Sequence, residues 1–197
     1  MIAAFLLALA SGPCQSAQTQ TDLDFCWANQ AKQADDQLNA TYATVTKGLR
    51  ALGVDPSVLV PVQLAWIKTR DTTCSFEASL YDGGSIQPMM ESECVDRMTR
   101  ARTERLSGLL DTLKGEGVVT TAAPASKSVD AELNRVYGLL SKQSLTAPQR
   151  KALLASELAW ITYRDKACKV EGGSCNDDLE SERTKELEAG WIGEQFW

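Results

Sequence analysis

The side chains best suited to chemistry lie in a twelve-residue phrase that this sequence contains twice. Residues 63–74 read QLAWIKTRDTTC and residues 157–168 read ELAWITYRDKAC, with seven of the twelve positions identical. In a helix, residues four apart lie on one face, so we expect the arginine of each phrase to stack on its tryptophan. The side chains that the two copies share are Trp66, Arg70, Asp71 and Cys74, and Trp160, Arg164, Asp165 and Cys168.

The aspartate of each phrase directly follows the arginine, and neighbouring residues of a helix do not face one another. We therefore expect each arginine to pair with a carboxylate on another helix. One interpretation is an internal brace, in which the indole fills the core and the ion pair fixes helix register. The other is a direct functional role, which we favour less because structural ion-pair networks often resemble functional sites. The candidate partners are Asp35, Asp36 and Glu104 for Arg70, and Glu132 and Glu186 for Arg164.

No arrangement of residues typical of catalysis is present. The chain has no histidine, which removes Ser-His-Asp and Cys-His catalysis. The glycine-rich stretches at 82–85 and 171–175 lack the preceding strand and the Lys/Ser signature of a phosphate loop, and read as turns. Asp177 and Asp178 are adjacent, so they cannot share one helix face as a catalytic pair. We therefore expect a protein that is not an enzyme and binds no cofactor.

The six cysteines predict disulfides. The rival interpretation, a metal site, would need the C-x-x-C spacing or the histidines of zinc proteins, and the sequence has neither. The second copy of the repeat contains two cysteines, which we expect to pair, and the equivalent two in the first copy should do the same. The expected bridges are Cys168–Cys175, its counterpart Cys74–Cys94, and by elimination Cys14–Cys26.

Apolar residues recur at helical spacing in both halves of the chain. We predict a first helix that closes at Gly53, a second that carries the repeated phrase to about Leu80, and a third from about Pro88 to Leu113. Asp55 or Ser57 should cap the second helix, and Thr146 should cap its counterpart. Residues 114–127 are small, polar and contain Gly and Pro, as in a linker.

After that linker the same sequence motifs recur in the same order, which indicates an internal duplication. AELNRVY at 131–137 echoes DQLNATY at 36–42, and CNDDLESERTKEL at 175–187 echoes CVDRMTRARTERL at 94–106. The sequence therefore predicts an all-α fold of two tandem, disulfide-stapled three-helix units, at 11–113 and 128–190. A small unit of this kind has a limited core and benefits from such staples.

Both termini are unusually apolar. MIAAFLLALA, residues 1–10, reads as a signal peptide with an A-x-A cleavage site, and is too short to span a bilayer. A buried N-terminal element is the alternative, and lipid attachment at Cys14 is a minor one because Pro13 fits that motif poorly. At the other end, residues 191–197 carry Trp191, Ile192, Phe196 and Trp197. We expect this tail to dock on the helices rather than to anchor a partner.

The overall charge narrows the class of partner. The net charge is −6, which argues against nucleic acid and against an anionic membrane surface, since both attract clustered Lys and Arg. A cationic partner is electrostatically favoured. Together with the predicted export, this indicates a periplasmic or secreted protein.

The phrase LAWIKTRDTTC, followed by a C-x7-R spacing in CVDRMTRARTERL, resembles the lysozyme inhibitor LprI-like N-terminal domain family. The resemblance covers roughly 14–113 and again 131–187. It implies an exported, helical, disulfide-bonded protein of the bacterial envelope that binds a basic peptidoglycan hydrolase of the lysozyme type and inhibits it. The alternative is a structural or assembly module of the envelope. For the inhibitor, the expected contact is the loop between Cys74 and Cys94, with Tyr81 and Asp82 offered to the partner.

Overall fold

The computed structural model describes residues 13–116 and 121–189. The predicted signal peptide and the aromatic tail lie outside these ranges. Within them the chain forms α-helices joined by short turns, with a 3-10 helix at Pro56–Leu59, and the predicted all-α class is confirmed. The helices are α1 (Gln20–Ala51), α2 (Val60–Ser79), α3 (Gln87–Glu116), α4 (Lys127–Ser141), α5 (Ala147–Glu171) and α6 (Cys175–Ala189).

Local sequence signals set most helix ends. The Thr19 hydroxyl accepts a hydrogen bond from the Asp22 backbone amide while the Asp22 carboxylate accepts one from the Thr19 amide, which forms a capping box at α1. Gly53 follows α1 at φ +74°, a left-handed conformation that favours glycine. Of the two predicted caps before α2, the structure uses Asp55, which accepts from the Ser57 amide at 3.0 Å at the start of the 3-10 helix.

The predicted cap of α5 is also confirmed. The Thr146 hydroxyl accepts a hydrogen bond from the Gln149 backbone amide, and the Gln149 side-chain oxygen accepts one from the Thr146 backbone amide. The stretch 82–85 forms the predicted turn between α2 and α3. Capping residues act on neighbours two or three positions away, so helix starts of this kind can be predicted from sequence alone.

The end of the predicted linker is bound to the second unit. The backbone amide of Ala123 donates to the Gly173 carbonyl at 2.9 Å, and the Gly173 amide donates to the Thr121 carbonyl at 3.3 Å. The Asp177 carboxylate accepts from the Ser126 amide. α3 also continues to Glu116, three residues past its predicted end. The segment before α4 is therefore held against the glycine turn that precedes α6.

The central helices α2 and α5, which carry the repeated phrase, pack against each other and join the two units. Thr73 contacts Ser156, and the Gln149 side chain reaches the Ser79 carbonyl. Residue numbers therefore increase along α2 where they decrease along α5, so the two helices run antiparallel. α1 packs on α3, α3 on α2, and α4 and α5 on α6. We call the α2–α5 contact the seam.

One continuous hydrophobic core crosses the seam. It includes Leu49 and Leu106 from the first unit, and Val136 and Leu179 from the second, all fully or almost fully buried. The two predicted three-helix units are present, and each completes its core with side chains of the other. Sharing a core increases the apolar surface that each small unit buries, which favours the stability of both.

All three expected disulfides are present. Cys14–Cys26 ties the turn at the start of the described chain to α1, Cys74–Cys94 joins α2 to α3, and Cys168–Cys175 joins α5 to α6. The latter two occupy equivalent places in the two copies. Each closes a helical hairpin at its turn and so restricts the unfolded chain.

The two equivalent bridges differ in the length of chain that they close, 20 residues for Cys74–Cys94 and 7 for Cys168–Cys175. We expect the Cys74→Ala/Cys94→Ala variant to lose about 3 kcal/mol of unfolding free energy and the Cys168→Ala/Cys175→Ala variant about 2 kcal/mol, because loop entropy grows with loop length. Urea unfolding at neutral pH measures both. A larger loss from the shorter bridge would contradict this entropic account.

Candidate functional site

The predicted stacking of Arg70 on Trp66 is present, with the guanidinium carbon 5.2 Å from the ring centroid. Of the proposed acidic partners, Asp35 on α1 pairs with Arg70 at 3.4 Å. The expectation that Asp71 could not meet Arg70 is wrong, since the two groups lie 2.9 Å apart. The arginine side chain lies along the helix surface, and its broad fork reaches the carboxylate of the next residue.

The second copy repeats the stacking but not the predicted ion pair. The Arg164 guanidinium carbon lies 5.3 Å from the Trp160 ring centroid, and Arg164 pairs with Asp165 at 2.9 Å and with Glu180 on α6 at 3.0 Å. The expected partners were wrong: Glu132 pairs with Arg135, and Glu186 pairs with Arg183. Glu180 stands where the first copy has Thr99, so comparison of the copies gave no sign of it.

A second pair of arginines, which the sequence analysis did not select as a site, lies at the seam. The Arg183 side chain is 0 % exposed and pairs with Glu157 at 3.2 Å and Glu186 at 2.6 Å. It also donates to the hydroxyls of Ser156 on α5, at 2.6 Å, and of Thr73 on α2, at 3.1 Å. One guanidinium of α6 thereby binds both central helices. The signal in the sequence was the C-x7-R spacing, which recurs in both copies.

Arg102 is the counterpart of Arg183 and also reaches the seam, from α3. Its Nε donates to Gln63 on α2 at 3.2 Å, and its Nη1 donates to the Tyr163 hydroxyl on α5 at 2.9 Å. The guanidinium carbon lies 5.4 Å from the centroid of the Tyr163 ring. Gln63 and Glu157 hold equivalent positions in the repeated phrase, so each buried arginine contacts the same place on its own central helix.

These arginines border a cleft between α2, α3, α5 and α6, which we call the seam cleft. Its volume is about 200 Å³. Both repeated tryptophans line it, together with Tyr163 and the two buried arginines. Equivalent residues of the two copies thus face the same cleft.

A different surface repeats on the outer side of each central helix. Leu64 on α2 is 62 % exposed, and its counterpart Leu158 on α5 is 57 % exposed. In the first copy Leu64 borders a groove of about 270 Å³ between α1 and α2. We call this the repeated face. Its shared members are Asp35, Tyr42, Leu64, Ile67 and Asp71 in the first copy, and Asp130, Tyr137, Leu158, Ile161 and Asp165 in the second.

The candidate contact residues Tyr81 and Asp82 lie in the turn between α2 and α3, half-buried and exposed respectively. Neither lines the seam cleft or the groove beside Leu64. The turn runs between Ser79, where α2 ends, and Gln87, where α3 begins, close to the predicted bounds at about Leu80 and Pro88, so it occupies only part of the segment between Cys74 and Cys94. The two cysteines sit inside the helices rather than at their ends.

Neither a metal site nor a membrane span is found in the described part of the chain. Residues 13–116 and 121–189 contain no group of three or more potential ligand side chains. In those same ranges no helix is long and apolar enough to cross a bilayer. The cysteines are all in disulfides, so they are not available as thiolate ligands.

Two buried carboxyls have raised pKa values. Burial raises the pKa of Glu77, against the opposing effect of the Arg97 guanidinium at 2.7 Å. The Glu180 side chain is 3 % exposed, and burial raises its pKa against the effect of Arg164. One Glu180 oxygen has no hydrogen-bond partner in the described chain, so its charge is only partly compensated.

Comparison with known proteins identifies a family to which this sequence is similar. The profile of the family described as "Lysozyme inhibitor LprI" matches residues 10–106 and 116–187, one segment for each copy. The chain belongs to the LprI family. The matched segments correspond to the two tandem copies. The three disulfides and this membership point to a location outside the cytoplasm.

Individual relatives extend the LprI comparison without adding an activity. An uncharacterised protein of Rhizobium meliloti is 35 % identical over 109 residues, which cover 50 % of this chain and 78 % of the relative. A crystal structure of an uncharacterised protein from Burkholderia thailandensis has a TM-score of 0.70 at 19 % identity, covering 90 % of this chain and 91 % of that one. The latter likeness shows a shared fold.

The buried charge of Arg183 predicts a large effect of its removal. Replacing it with Met leaves Glu157 and Glu186 without their partner next to the core, and we expect a loss of about 3–5 kcal/mol in unfolding free energy. The matched control is Arg135→Met on α4, whose ion pair with Glu132 is exposed and whose loss should leave the unfolding midpoint unchanged. Equal effects of the two substitutions in urea unfolding would contradict a structural role for Arg183.

The raised pKa values of Glu77 and Glu180 predict how stability depends on pH. A carboxyl with a raised pKa in the folded state binds its proton more tightly there than in the unfolded chain. Its contribution to the unfolding free energy is therefore complete below the ordinary pKa near 4.5 and is lost as pH rises through the raised pKa. We expect unfolding free energy to fall above pH 5, by at most about 1.4 kcal/mol per pH unit for each group.

Glu180→Gln removes one of these two groups and should flatten the decline in unfolding free energy as pH rises above 5. Chemical unfolding at several pH values measures the slope for both proteins. The Asp55→Asn variant is the control, since the pKa of that exposed carboxyl is lowered and its effect lies at lower pH. A slope unchanged by Glu180→Gln would contradict the assignment.

Proposed function

We propose that this protein is exported to the bacterial envelope, where it binds and inhibits a basic peptidoglycan hydrolase such as lysozyme. The family described as a lysozyme inhibitor supports the class of partner. The observation that carries the proposal is the repeated face, in which an exposed leucine stands at the same place in both copies. Exposed anchors of this kind, surrounded by charge, are typical of protein-binding surfaces.

The leucines of the repeated face have little value for folding. Five of the twelve positions in the repeated phrase differ between the copies, including Thr69, which is buried and is replaced by Tyr163. Leu64 and Leu158 are nevertheless identical, although each exposes more than half of its surface. The two copies thus share a leucine at an exposed position although they differ at a buried one. Binding to a partner best explains why the exposed leucine is shared.

The charges of the repeated face fit a cationic partner. Asp35 lines the groove in the first copy, and both Asp35 and Asp71 are half-exposed and pair with the single guanidinium of Arg70. These two carboxylates outnumber the single guanidinium that they share, in a chain of net charge −6. Such a surface speeds the approach of a basic enzyme and makes the association sensitive to salt.

The repeated faces point away from each other. Thr73 faces α5 across the seam, and Leu64 lies nine residues before it, at 100° per residue on the opposite side of α2. The same holds for Leu158 and Ser156 on α5, which are two residues and so about 200° apart. The chain thus presents two like faces on opposite sides of the seam, and we expect it to bind up to two partner molecules.

Export is part of the proposal, through a signal peptide at residues 1–10. The structure places Cys14 in a disulfide with Cys26. A lipid-modified cysteine uses its sulfur for the lipid, so this bridge and lipid attachment at Cys14 exclude one another. We accordingly propose a periplasmic or secreted protein without a lipid anchor.

The opposed faces also favour a second candidate function, a non-inhibitory assembly module of the envelope. A protein with two like faces on opposite sides can link two copies of one partner. This function predicts a partner complex with no change in hydrolase activity. A lysis assay with lysozyme therefore separates the two functions.

We expect the oxidised protein to inhibit lysis of cell walls by lysozyme saturably and less at high salt. Leu64→Glu should remove one binding site and Leu158→Glu the other, so that each lowers the stoichiometry found by calorimetric titration. The double variant should bind at least tenfold more weakly, with Leu139→Glu, an exposed leucine outside the repeated face, as the matched control. Unchanged binding by the double variant would refute the repeated face as the contact.

The turn with Tyr81 and Asp82 is a further proposed contact for the same enzyme. It is short and lies between two helices that a disulfide joins, so it presents its side chains with little loss of conformational freedom. Replacing both residues with Ala should weaken lysozyme binding while the melting temperature stays the same. If affinity is unaffected, the turn takes no part in binding.

A further inference from the structure

We propose that the seam cleft is a binding site for a small organic carboxylate, held by Arg102. This buried arginine carries a charge that no carboxylate of the described chain compensates. The cleft is distinct from the repeated face, which lies on the outer sides of α2 and α5.

Arg102 is 2 % exposed, and its two hydrogen-bond partners, Gln63 and Tyr163, are neutral. Burial raises the pKa of the Tyr163 hydroxyl above its usual value, so this partner stays uncharged at neutral pH. No carboxylate of residues 13–116 or 121–189 pairs with Arg102, and its Nη2 has no hydrogen-bond partner there. A buried guanidinium without a counter-ion is costly, so its retention calls for an explanation.

The duplication provides an internal control. Arg183, the equivalent residue, is neutralised by Glu157 and Glu186. In the first copy these two positions hold Gln63 and Arg105, so both acidic partners are missing and one is replaced by a further cation. Arg105 in turn takes Glu171 and Glu182 as its partners. The uncompensated positive charge of Arg102 is thus specific to the first copy, and no carboxylate of the described chain supplies its counter-ion.

The lining of the seam cleft fits an anion with a short apolar body. Five basic side chains and two acidic ones line it, in a chain whose net charge is −6. The acids, Glu182 and Glu186, already pair with Arg105 and Arg183. The indoles of Trp66 and Trp160 supply the apolar surface, and Arg102 supplies the unpaired donor.

The size and charge of the cleft select the class of ligand. Its volume of about 200 Å³ is smaller than pockets that take drug-sized molecules, so it suits a ligand of few heavy atoms. Of the basic side chains that line the cleft, Arg102 and Lys185 form no ion pair with any described residue, and Lys185 is exposed to solvent. The one buried, unpaired guanidinium balances one negative charge, so a doubly charged phosphate would be left partly uncompensated. A monocarboxylate forms a charge-assisted bond to Nη2 and places its apolar part against the indoles.

The test is an NMR titration of the full oxidised chain with sodium benzoate, following the indole NH signals of Trp66 and Trp160, with benzamide as the neutral match. We expect saturable shifts with benzoate and at least tenfold weaker binding of benzamide. Arg102→Gln should weaken benzoate binding at least tenfold. Gln63→Glu restores an internal counter-ion, so it should raise the melting temperature of the free protein and weaken benzoate binding to the same degree.

Gln37→Glu, which adds the same charge at an exposed position on α1, is the control and should bind benzoate as the unaltered protein does. Should Arg102→Gln fail to fold, Gln63→Glu decides the result alone. Equal binding of benzoate and benzamide, or benzoate binding unchanged by Gln63→Glu, would overturn the proposal. Saturable binding of phosphate or sulfate in place of benzoate would overturn the carboxylate as its ligand.

Discussion

Two buried arginines on the outer helices, Arg102 and Arg183, hold the central pair of helices in place. A guanidinium inside the protein must satisfy its donors, and Arg183 does so only where α2, α5 and α6 meet. This requirement fixes how far α6 can move along α5, and how α5 sits against α2. The shared core and the antiparallel seam both depend on it. Because the repeated faces lie on the outer sides of the same two helices, their orientation follows from the seam as well.

The features that could be predicted from sequence depend on residues close together in the chain. Thr19, Asp55 and Thr146 cap helices through neighbours within three positions. The stacking of each arginine on its tryptophan spans one helical turn. The duplication supplied what local spacing could not, namely the assignment of the cysteines to bridges. The fold class, the helix order and the disulfides were therefore accessible from residues alone.

The seam was not predictable in the same way. The bond between Arg183 and Thr73 joins residues 110 positions apart, and no periodicity connects them. The ion pair of Arg164 with Glu180 was not predicted, because the residue equivalent to Glu180 in the first copy is Thr99. The ion pair of Asp71 with Arg70 was not predicted either, because the long arginine side chain reaches the carboxylate of the next residue although the two residues point away from each other. The exposure of Leu64 could be recognised only in the structure, since an apolar residue is by itself expected to be buried.

The two copies have diverged in charge at the seam and kept the residues of the repeated face alike. In the second copy Arg183 is neutralised within the chain, which makes it a structural element. In the first copy Gln63 leaves Arg102 without an acid, which makes it a candidate for binding. The repeated face shows the opposite behaviour, with the same exposed leucine and the same acids in both copies. A duplicated fold can in this way add a site at its centre without altering the surfaces at its sides.

Native-state hydrogen exchange tests most directly the central claim, that the seam unites the two copies into one folding unit. The slowest amides of α2 and α5 should open with one common free energy, equal to that of global unfolding, because neither unit keeps its core without the other. They should remain matched as denaturant is added. If the slowest amides of one copy instead exchanged at a distinctly lower free energy, the copies would unfold separately and the account of the seam would be wrong.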